Sequence, residues 1–311
     1  MKLPNPILPV ALFLLLFTAC ERDLDFNLQD LKPELVVLAN FSDLDTLEVV
    51  VSKSRPALDQ DAPEYIPNAN VKLFVDNSFA DQLSFVSSPI LQIPGYYLSS
   101  GVVPQPGEHL RVTVDAPGYP SVEAESTMPY PVGIDTGFTS LLIEIEEVDL
   151  FYNQANITAH IKILPPPGGP HYYHLNFYMQ GYDFRITTEG DTLKTNFFSL
   201  PLVTFPIDDA IPLIPYIDDR GVLFTDDALT IDDGELSFTA NFQYRRSDQL
   251  LGHFLIELRS ASPEYYDYHR SLVRQYQAGQ DPFAEPVILY SNVKNGQGIF
   301  AGFTSKFYIV K

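Results

Sequence analysis

The sequence predicts an all-β protein made of two antiparallel units in series, with one prominent helix towards its C-terminal end. Three observations predict it. Short β-branched and aromatic runs alternate apolar and polar residues with a period of two, the signature of half-buried strands. Proline outnumbers glycine, 26 to 17, and divides those runs, because proline cannot donate to a central sheet ladder. One stretch, "SPEYYDYHRSLVRQYQAG", carries both start and stop signals of a helix. An apolar share of 45% supplies ample material for a core, and 311 residues suffice for two ordinary domains.

The first 32 residues stand apart. Lys2 precedes an apolar run from Ile7 to Ala19, the length of a signal-peptide core and too short for an ordinary span of about 20 residues. Phe17, Thr18, Ala19 and Cys20 follow the apolar–small–small–cysteine order of a bacterial lipoprotein signal, with Phe17 where leucine is usual. Residues 1–19 are therefore expected to be a lipoprotein signal peptide, with Cys20 as the lipidated first residue of the mature chain. Several acyl chains make such an anchor stable. Residues 20–32, "CERDLDFNLQDLK", then read as the lipidated cysteine and a tether. Cys20 is the only cysteine, which excludes an intramolecular disulfide and a cysteine-based zinc site. Once lipidated, it leaves no free thiol as a nucleophile.

Residues 33–129 read as an immunoglobulin-like β-sandwich. "ELVVLANF" (34–41), "DTLEVVVSKS" (45–54), "NVKLFVDN" (70–77), "GYYLSSG" (95–101), "HLRVTVDAPG" (109–118) and "SVEAESTMP" (121–129) are its strands. Leu47, Val49 and Val51 form one inward set, and Leu110, Val112 and Val114 another. The spacing of short strands and turns suits a sandwich. The proline-rich "MPYPVGID" (128–135) ends the pattern and marks a boundary.

Residues 130–311 read as a larger antiparallel sandwich or barrel-like unit. Its strands are expected at 138–151, 153–164, 171–186, 191–200, 221–225, 234–244, 249–261 and 298–310, with a bend at Gly181. The helix is expected over 263–278, with Ser262 as N-cap, Pro263 in the first position and Gly279 as C-cap. Tyr265, His269, Leu272 and Tyr276 share one face with Val273 beside them, and core packing is the expected role of that stripe.

Net charge of −21 repels nucleic-acid phosphates and disfavours docking on anionic lipid by charge, so no nucleic acid is expected as a partner. Four aspartate pairs, Asp208–Asp209, Asp218–Asp219, Asp226–Asp227 and Asp232–Asp233, offer hard oxygen ligands. They lack EF-hand spacing, so turn and capping duty is favoured over bound calcium, and no cofactor or metal is expected beyond the lipid on Cys20. His171 and His174 fall on opposite faces of a strand, against a shared metal. No H-E-x-x-H, G-x-S-x-G, phosphate-binding loop or dinucleotide fingerprint occurs, so no catalytic residue is named and no enzyme is expected. "PLVTFPIDDAIPLIPYID" (201–218) is a long connection with apolar residues, and long ordered connections are often functional. Phe205, Ile211, Leu213, Ile214 and Tyr216 are candidate partner contacts; the alternative is that they cover the end of the second sheet.

Several motifs carry a resemblance. "PELVVLANF", "VSKSRP", "GYYLSSG", "VDAPGYPSVEAESTMP" and above all "ASPEYYDYHRSL…DPFAEPVILYSNVKNGQGIFAGF" resemble the Bacteroidota lipoproteins grouped as domain-of-unknown-function family 4249. "FTDDALTIDDGEL" is similar to that family's Asp-and-Gly stretch. Glu21, Arg22, Asp23 and Asp25 resemble the acidic surface-export signal of such lipoproteins. The resemblance implies an outer-membrane, cell-surface-facing lipoprotein and an accessory subunit of a TonB-dependent-transporter-like or other outer-membrane β-barrel. A glycan- or peptide-binding lipoprotein for nutrient capture is the alternative. Asn292, Asn295, Gly296 and Gly298 suit tight-turn backbone before the last strand, which favours a fold-closing role for the tail.

Overall fold

The computed structural model describes residues 32–55, 62–87, 95–281 and 283–310. Cys20, the signal peptide and all of the tether before Lys32 lie outside the described residues, as does Pro282.

The first half supplies β1 (Leu35–Ser42), β2 (Glu48–Lys53), β3 (Asn70–Val75), β4 (Ser78–Gln82), β5 (Ser84–Val86), β6 (Tyr96–Leu98), β7 (His109–Asp115) and β8 (Val122–Thr127). The second half supplies β9 (Gly133–Ile134), β10 (Ser140–Glu147), β11 (Tyr152–Leu164), β12 (Tyr172–Ile186), β13 (Thr192–Pro201), β14 (Thr204–Pro206), β15 (Ile214–Pro215) and β16 (Val222–Thr225). A one-turn helix α1 (Asp226–Leu229), β17 (Glu235–Arg245), β18 (Gln249–Ala261), α2 (Pro263–Gln280) and β19 (Gln297–Val310) complete it.

The protein is an all-β sandwich architecture, and one long sheet runs through both halves. Its strand order is β15-β16-β12-β18-β19-β1-β2-β6-β5, with β13 also paired to β12. Two smaller sheets cover one face of it: β4-β3-β7-β8 over the first half, and β10-β11-β17-β14, with β9 on β11, over the second. The second unit has open edges, so it is a sandwich and not a closed barrel. Helix α2 lies on the opposite face of the long sheet.

The inward sets follow the period of two. Leu47, Val49 and Val51 are buried, as are Leu110, Val112 and Val114, in a core with Val37, Val71 and Leu73. The second core joins Ile157, Ile161, Tyr173, Phe177, Phe238 and Ile256. At Gly181 the β12–β18 register shifts, placing a bulge at the expected bend.

One pairing departs from the antiparallel expectation. β19 pairs antiparallel with β18, but parallel with β1, from Val36 opposite Gln297 to Ser42 opposite Phe303. A strand from the end of the described chain thus sits inside the first unit's sheet. It serves three clusters: Phe300 enters the first core, Tyr308 and Val310 pack on the second, and Ile299 and Ala301 meet α2.

The residues before β19 make that insertion possible. Asn295 takes φ +61° and Gly298 takes φ +117°. A Cβ at Gly298 would overlap the carbonyl oxygen of Val37, because the two backbones approach closely there. Asn292 acts as a piece of strand. Its Nδ2 donates to the carbonyls of Glu125 (3.0 Å) and Phe300 (2.8 Å), and its Oδ1 accepts from Phe300 N (3.0 Å). It therefore ties β8 to β19 across the sandwich edge.

Helix α2 begins as expected: Ser262 Oγ accepts from Tyr265 N at 3.2 Å, with Pro263 following. It ends later than expected. Gly279 lies inside the last turn, the helix continues to Gln280, and Asp281 is the C-cap. Tyr265, His269 and Val273 are buried with Tyr266, Leu272 is half-buried, and Tyr276 is exposed.

Gly298→Ala is expected to destabilise the protein by about 3 kcal/mol or more, through positive-φ strain and overlap with β1. Asn292→Ala is expected to cost about 2 kcal/mol, because buried strand groups lose their partners. Urea unfolding of each variant measures both.

Candidate functional site

Two features of the second half stand out chemically: a buried polar layer under α2, and an exposed apolar hairpin tip.

The polar layer arises from strand alternation. On β12, Tyr173, Leu175 and Phe177 face the core, which sends His174, Asn176 and Tyr178 to the α2 face. On β18, Ile256 and Leu258 face the core, so Glu257 and Arg259 turn the other way. Register sets His174 opposite Arg259, Asn176 opposite Glu257, and Arg259 opposite Ser305. Glu257 is 3% exposed and fully engaged. Its carboxylate accepts from Arg259 Nε (2.7 Å) and Nη2 (3.1 Å), Ser305 Oγ (2.7 Å), Tyr178 OH (2.9 Å) and Asn176 Nδ2 (3.3 Å). Burial pushes its pKa up, but the Arg259 bonds and charge, with Ser305 and Tyr178, hold it below the usual carboxylate value.

Two histidine–tyrosine pairs roof this layer. Arg259 Nη1 donates to Tyr265 OH at 3.1 Å, and Tyr265 OH lies 2.9 Å from His174 Nδ1. Tyr216 OH lies 2.8 Å from His269 Nδ1, and burial pushes that tyrosine up to about 12, keeping it protonated. Burial, aided by the charge of Arg259, holds His174 well below the ordinary imidazole value and His269 at about 4. Both rings are neutral at pH 7. Neither Nε2 has a hydrogen-bond partner among the described residues.

The segment before β16 forms one wall. Gly221, with φ +90°, lets the backbone pass close over β12; a Cβ there would sit 2.6 Å from Asn176 Oδ1. A cavity of about 410 Å³ opens between this wall and the sheet, lined by His174, Asn176, Tyr178, Tyr216, Arg220 and Arg259 among others. A larger cleft of about 610 Å³ lies at the junction of the two halves, walled mainly by prolines and by Tyr130 and Tyr172.

The apolar tip joins β10 to β11. Leu150 is 86% exposed and Phe151 69%, with Val148 and Ile145 also exposed. The turn is held in shape nonetheless. Asp149 Oδ1 accepts from Phe151 N (2.7 Å) and Tyr152 N (2.8 Å), and Arg246 Nη2 donates to Glu147 at 2.7 Å. β10 is also an edge strand. Ile143 and Ile145 stand opposite Ile157 and Ala155, which are core residues, so an inward-type row runs out beyond its cover.

The structure does not gather the apolar residues of 201–218 into one surface. Ile211 is 6% exposed in the second core, Leu213 packs against that core, and Ile214 and Tyr216 pack towards α2; Phe205 is exposed, with Val203 and Ile207 near it in sequence. The reason is that this connection forms β14 and β15, which pair with β17 and β16 and draw it inward. The aspartate pairs are dispersed among turns. Asp208 accepts from Ala210 N, Asp218 takes φ +56° and accepts from Tyr276 OH, Asp232 and Asp233 take positive φ, and Asp233 pairs with Lys162. Asp226 binds Tyr173 OH and His171, fixing the start of β12 to α1. Among the described residues no three His, Cys, Asp or Glu side chains form a metal-ligand group. His171 and His174 lie on opposite faces, as their spacing requires.

Sequence reasoning missed the polar layer. The signal was present as polar residues at alternate positions of two strands otherwise rich in apolar residues.

Comparison with known proteins places this geometry. The family described as a domain of unknown function, DUF4249, matches residues 21–308. The chain belongs to that family. The match takes in both halves, so the β1–β19 pairing and the polar layer lie within the DUF4249 unit. No curated protein matches the chain. Among solved structures, one similarity is to a "Biofilm associated protein - B domain", at 7% identity, covering 88% of this chain and 85% of that one, with a TM-score of 0.17. Among the described residues, no helix is long and apolar enough to cross a membrane.

The depressed imidazole pKa values set a pH dependence. Between about pH 6.5 and 4 the unfolded chain binds a proton at position 269 that the folded chain does not. Stability therefore falls as pH falls through that window, by about 1.4 kcal/mol per pH unit per such imidazole. His174 acts with the same sign. Glu257 adds a further loss at lower pH, as its carboxylate is protonated. The stability lost between pH 7 and 5 is expected to be about 2 kcal/mol smaller in His269→Gln than in the parent. Urea titrations at the two pH values check it.

Proposed function

We propose that this DUF4249 protein is a lipid-anchored, surface-facing lipoprotein of the outer membrane of a Bacteroidota cell. It acts without catalysis, as an accessory subunit docked on a TonB-dependent-transporter-like or other outer-membrane β-barrel. Cys20 bears the anchor, and the tether lets the sandwiches meet their partner.

One observation carries the docking part of this reading: the hydrogen-bonded hairpin tip that holds Leu150 and Phe151 out in solvent. A rigid, exposed apolar tip gains by burial against a partner without a large ordering cost. The free edge of β10 offers backbone groups for strand addition beside it. Glu144 and Glu146 on the same strand, and the net charge of −21, favour a protein partner over an anionic lipid surface.

Affinity purification through a C-terminal tag, from native membranes in mild detergent, is expected to recover a β-barrel protein. The double substitution Leu150→Asp, Phe151→Asp is expected to lower that recovery at least tenfold, while shifting fold stability by less than about 1 kcal/mol, since both side chains are exposed. Absence of a barrel in the parent sample defeats the proposal. Cys20→Ala is expected to leave the signal uncleaved or release the protein from the membrane; an unchanged, lipid-labelled protein defeats the anchor.

A further inference from the structure

We propose that the outer half of β19 is a peptide-binding edge. An extended segment of a partner protein adds to it as an antiparallel strand, apolar along the groove and carrying a carboxylate beside Lys306. This site is separate from the hairpin tip and does not depend on the docking role above.

The first support is an open strand flank. β1 covers β19 only from Gln297 to Phe303, where its last paired residue is Ser42. β19 continues to Val310 with β18 alone beside it among the described residues. The directions of its backbone groups follow from strand geometry, in which the N–H and C=O of one residue share a side and successive residues alternate. Gly302 O accepts from Ser262 N on the β18 side, so Lys306, Tyr308 and Val310 also point their backbone groups to β18. Ser305 N instead donates to Asp43 Oδ1 at 3.1 Å, on the β1 side. Phe307 and Ile309 share that outward direction, and past Asp43 no strand among the described residues meets them. Such unpaired N–H and C=O groups are a template for another strand.

A groove along the same residues supplies the second support. It measures about 460 Å³ and is lined by Phe307, Tyr308, Ile309 and Val310, with Ile134, Thr136 and Thr139 facing them. Successive residues of β19 line it, from both faces of the sheet, so it follows the strand's edge and not one face. Tyr308 OH accepts from Ile134 N at 3.2 Å, which holds the far wall in place. Phe307 is 49% exposed and Ile309 58%, so an added strand has apolar surface to cover beside the free backbone groups.

Position and charge select the occupant. A strand here takes up the line that β1 leaves at Ser42, so it extends an existing ladder, and antiparallel pairing is the more stable per residue. Its residues beside Tyr308 and Val310 lie along the groove and are apolar. Lys306 shares their side of the strand, is exposed and has no ion-pair partner among the described residues. A carboxylate on the facing residue forms a cross-strand pair of opposite charge with it. The net charge of −21 disfavours a second copy of this chain and confines an acidic residue of the partner to that one position.

The peptide acetyl-GVTVTEG-amide tests this, because in antiparallel register its valines meet Val310 and Tyr308, its threonines Ile309 and Phe307, and its glutamate Lys306. Binding is followed in ¹⁵N-labelled protein by resonance shifts and amide hydrogen exchange. In the free protein the amides of Phe307 and Ile309 are expected to exchange readily, while those of Lys306 and Tyr308 are protected by β18. The peptide is expected to slow exchange at Phe307 and Ile309 about tenfold or more. N-methylation of its two threonines removes the donors aimed at β19 and is expected to weaken binding about tenfold or more. Exchange of its glutamate for lysine is expected to weaken binding about threefold. Ile309→Pro removes one outward N–H and leaves the β18 ladder intact, so it is expected to keep the parent's unfolding midpoint and weaken the peptide about tenfold. The N-methylated peptide carries the same test on the unaltered protein. The proposal is overturned if Phe307 and Ile309 are already protected in the free protein, if the peptide fails to bind or to protect them, or if the N-methylated or lysine-bearing peptide binds as well.

Discussion

The parallel pairing of β1 with β19 is the contact on which the rest of the architecture depends. It brings Val36 opposite Gln297, whose side chain also donates to Glu34 just before β1, and makes two sandwiches share one sheet. Phe300, which β19 brings in, lies 4.6 Å from Phe41 between ring centres and fills the first core. The same strand receives the start of α2, because Ser262 N donates to Gly302 O. Gly298 permits the approach and Asn292 seals its side. The segment from Asn292 to Gly298 is therefore occupied with closing the fold.

The polar layer is a second constraint, of a different kind. A buried ion pair such as Glu257–Arg259 adds little net stability, since desolvation of two charges offsets their attraction. Its effect is geometric. Five donors converge on one carboxylate, and only one register of β12, β18 and β19 brings them together. The pair thereby fixes how α2 sits on the sheet, through Tyr265, and sets the floor of the cavity. The surrounding tyrosines remain protonated because burial raises them, so they act as fixed donors.

Much of the fold was legible because it rests on local patterns. The alternation in "TLEVVVS" and "HLRVTVD" gave the inward sets, and Ser262-Pro263 gave the helix start, since these signals depend on neighbouring residues. Gly279 misled as a stop: the helix runs one residue past it, in an exposed last turn, with Asp281 as C-cap. The parallel insertion of β19 was not legible: nothing within 297–310 records that its neighbour is 34–42. The site was hidden for a related reason. His174 lies on β12 and Glu257 and Arg259 on β18, so the histidine meets the ion pair only through strand pairing. In 201–218 the apolar residues left two readings open, a contact surface or a cover for the end of the second sheet; short strands carry Ile211, Leu213, Ile214 and Tyr216 inward and leave Phe205 exposed.

A sheet completed by a late strand also imposes an order in time. Chains dominated by distant contacts fold slowly, because loop-closure entropy is lost before those contacts form. While β19 is still being delivered, β1 has an unpaired flank and the first core lacks Phe300. That half is then a sticky intermediate, with an open strand edge able to pair with another chain. A protein built this way needs protection until β19 has been delivered, and completion of its first half is tied to a strand that follows the second.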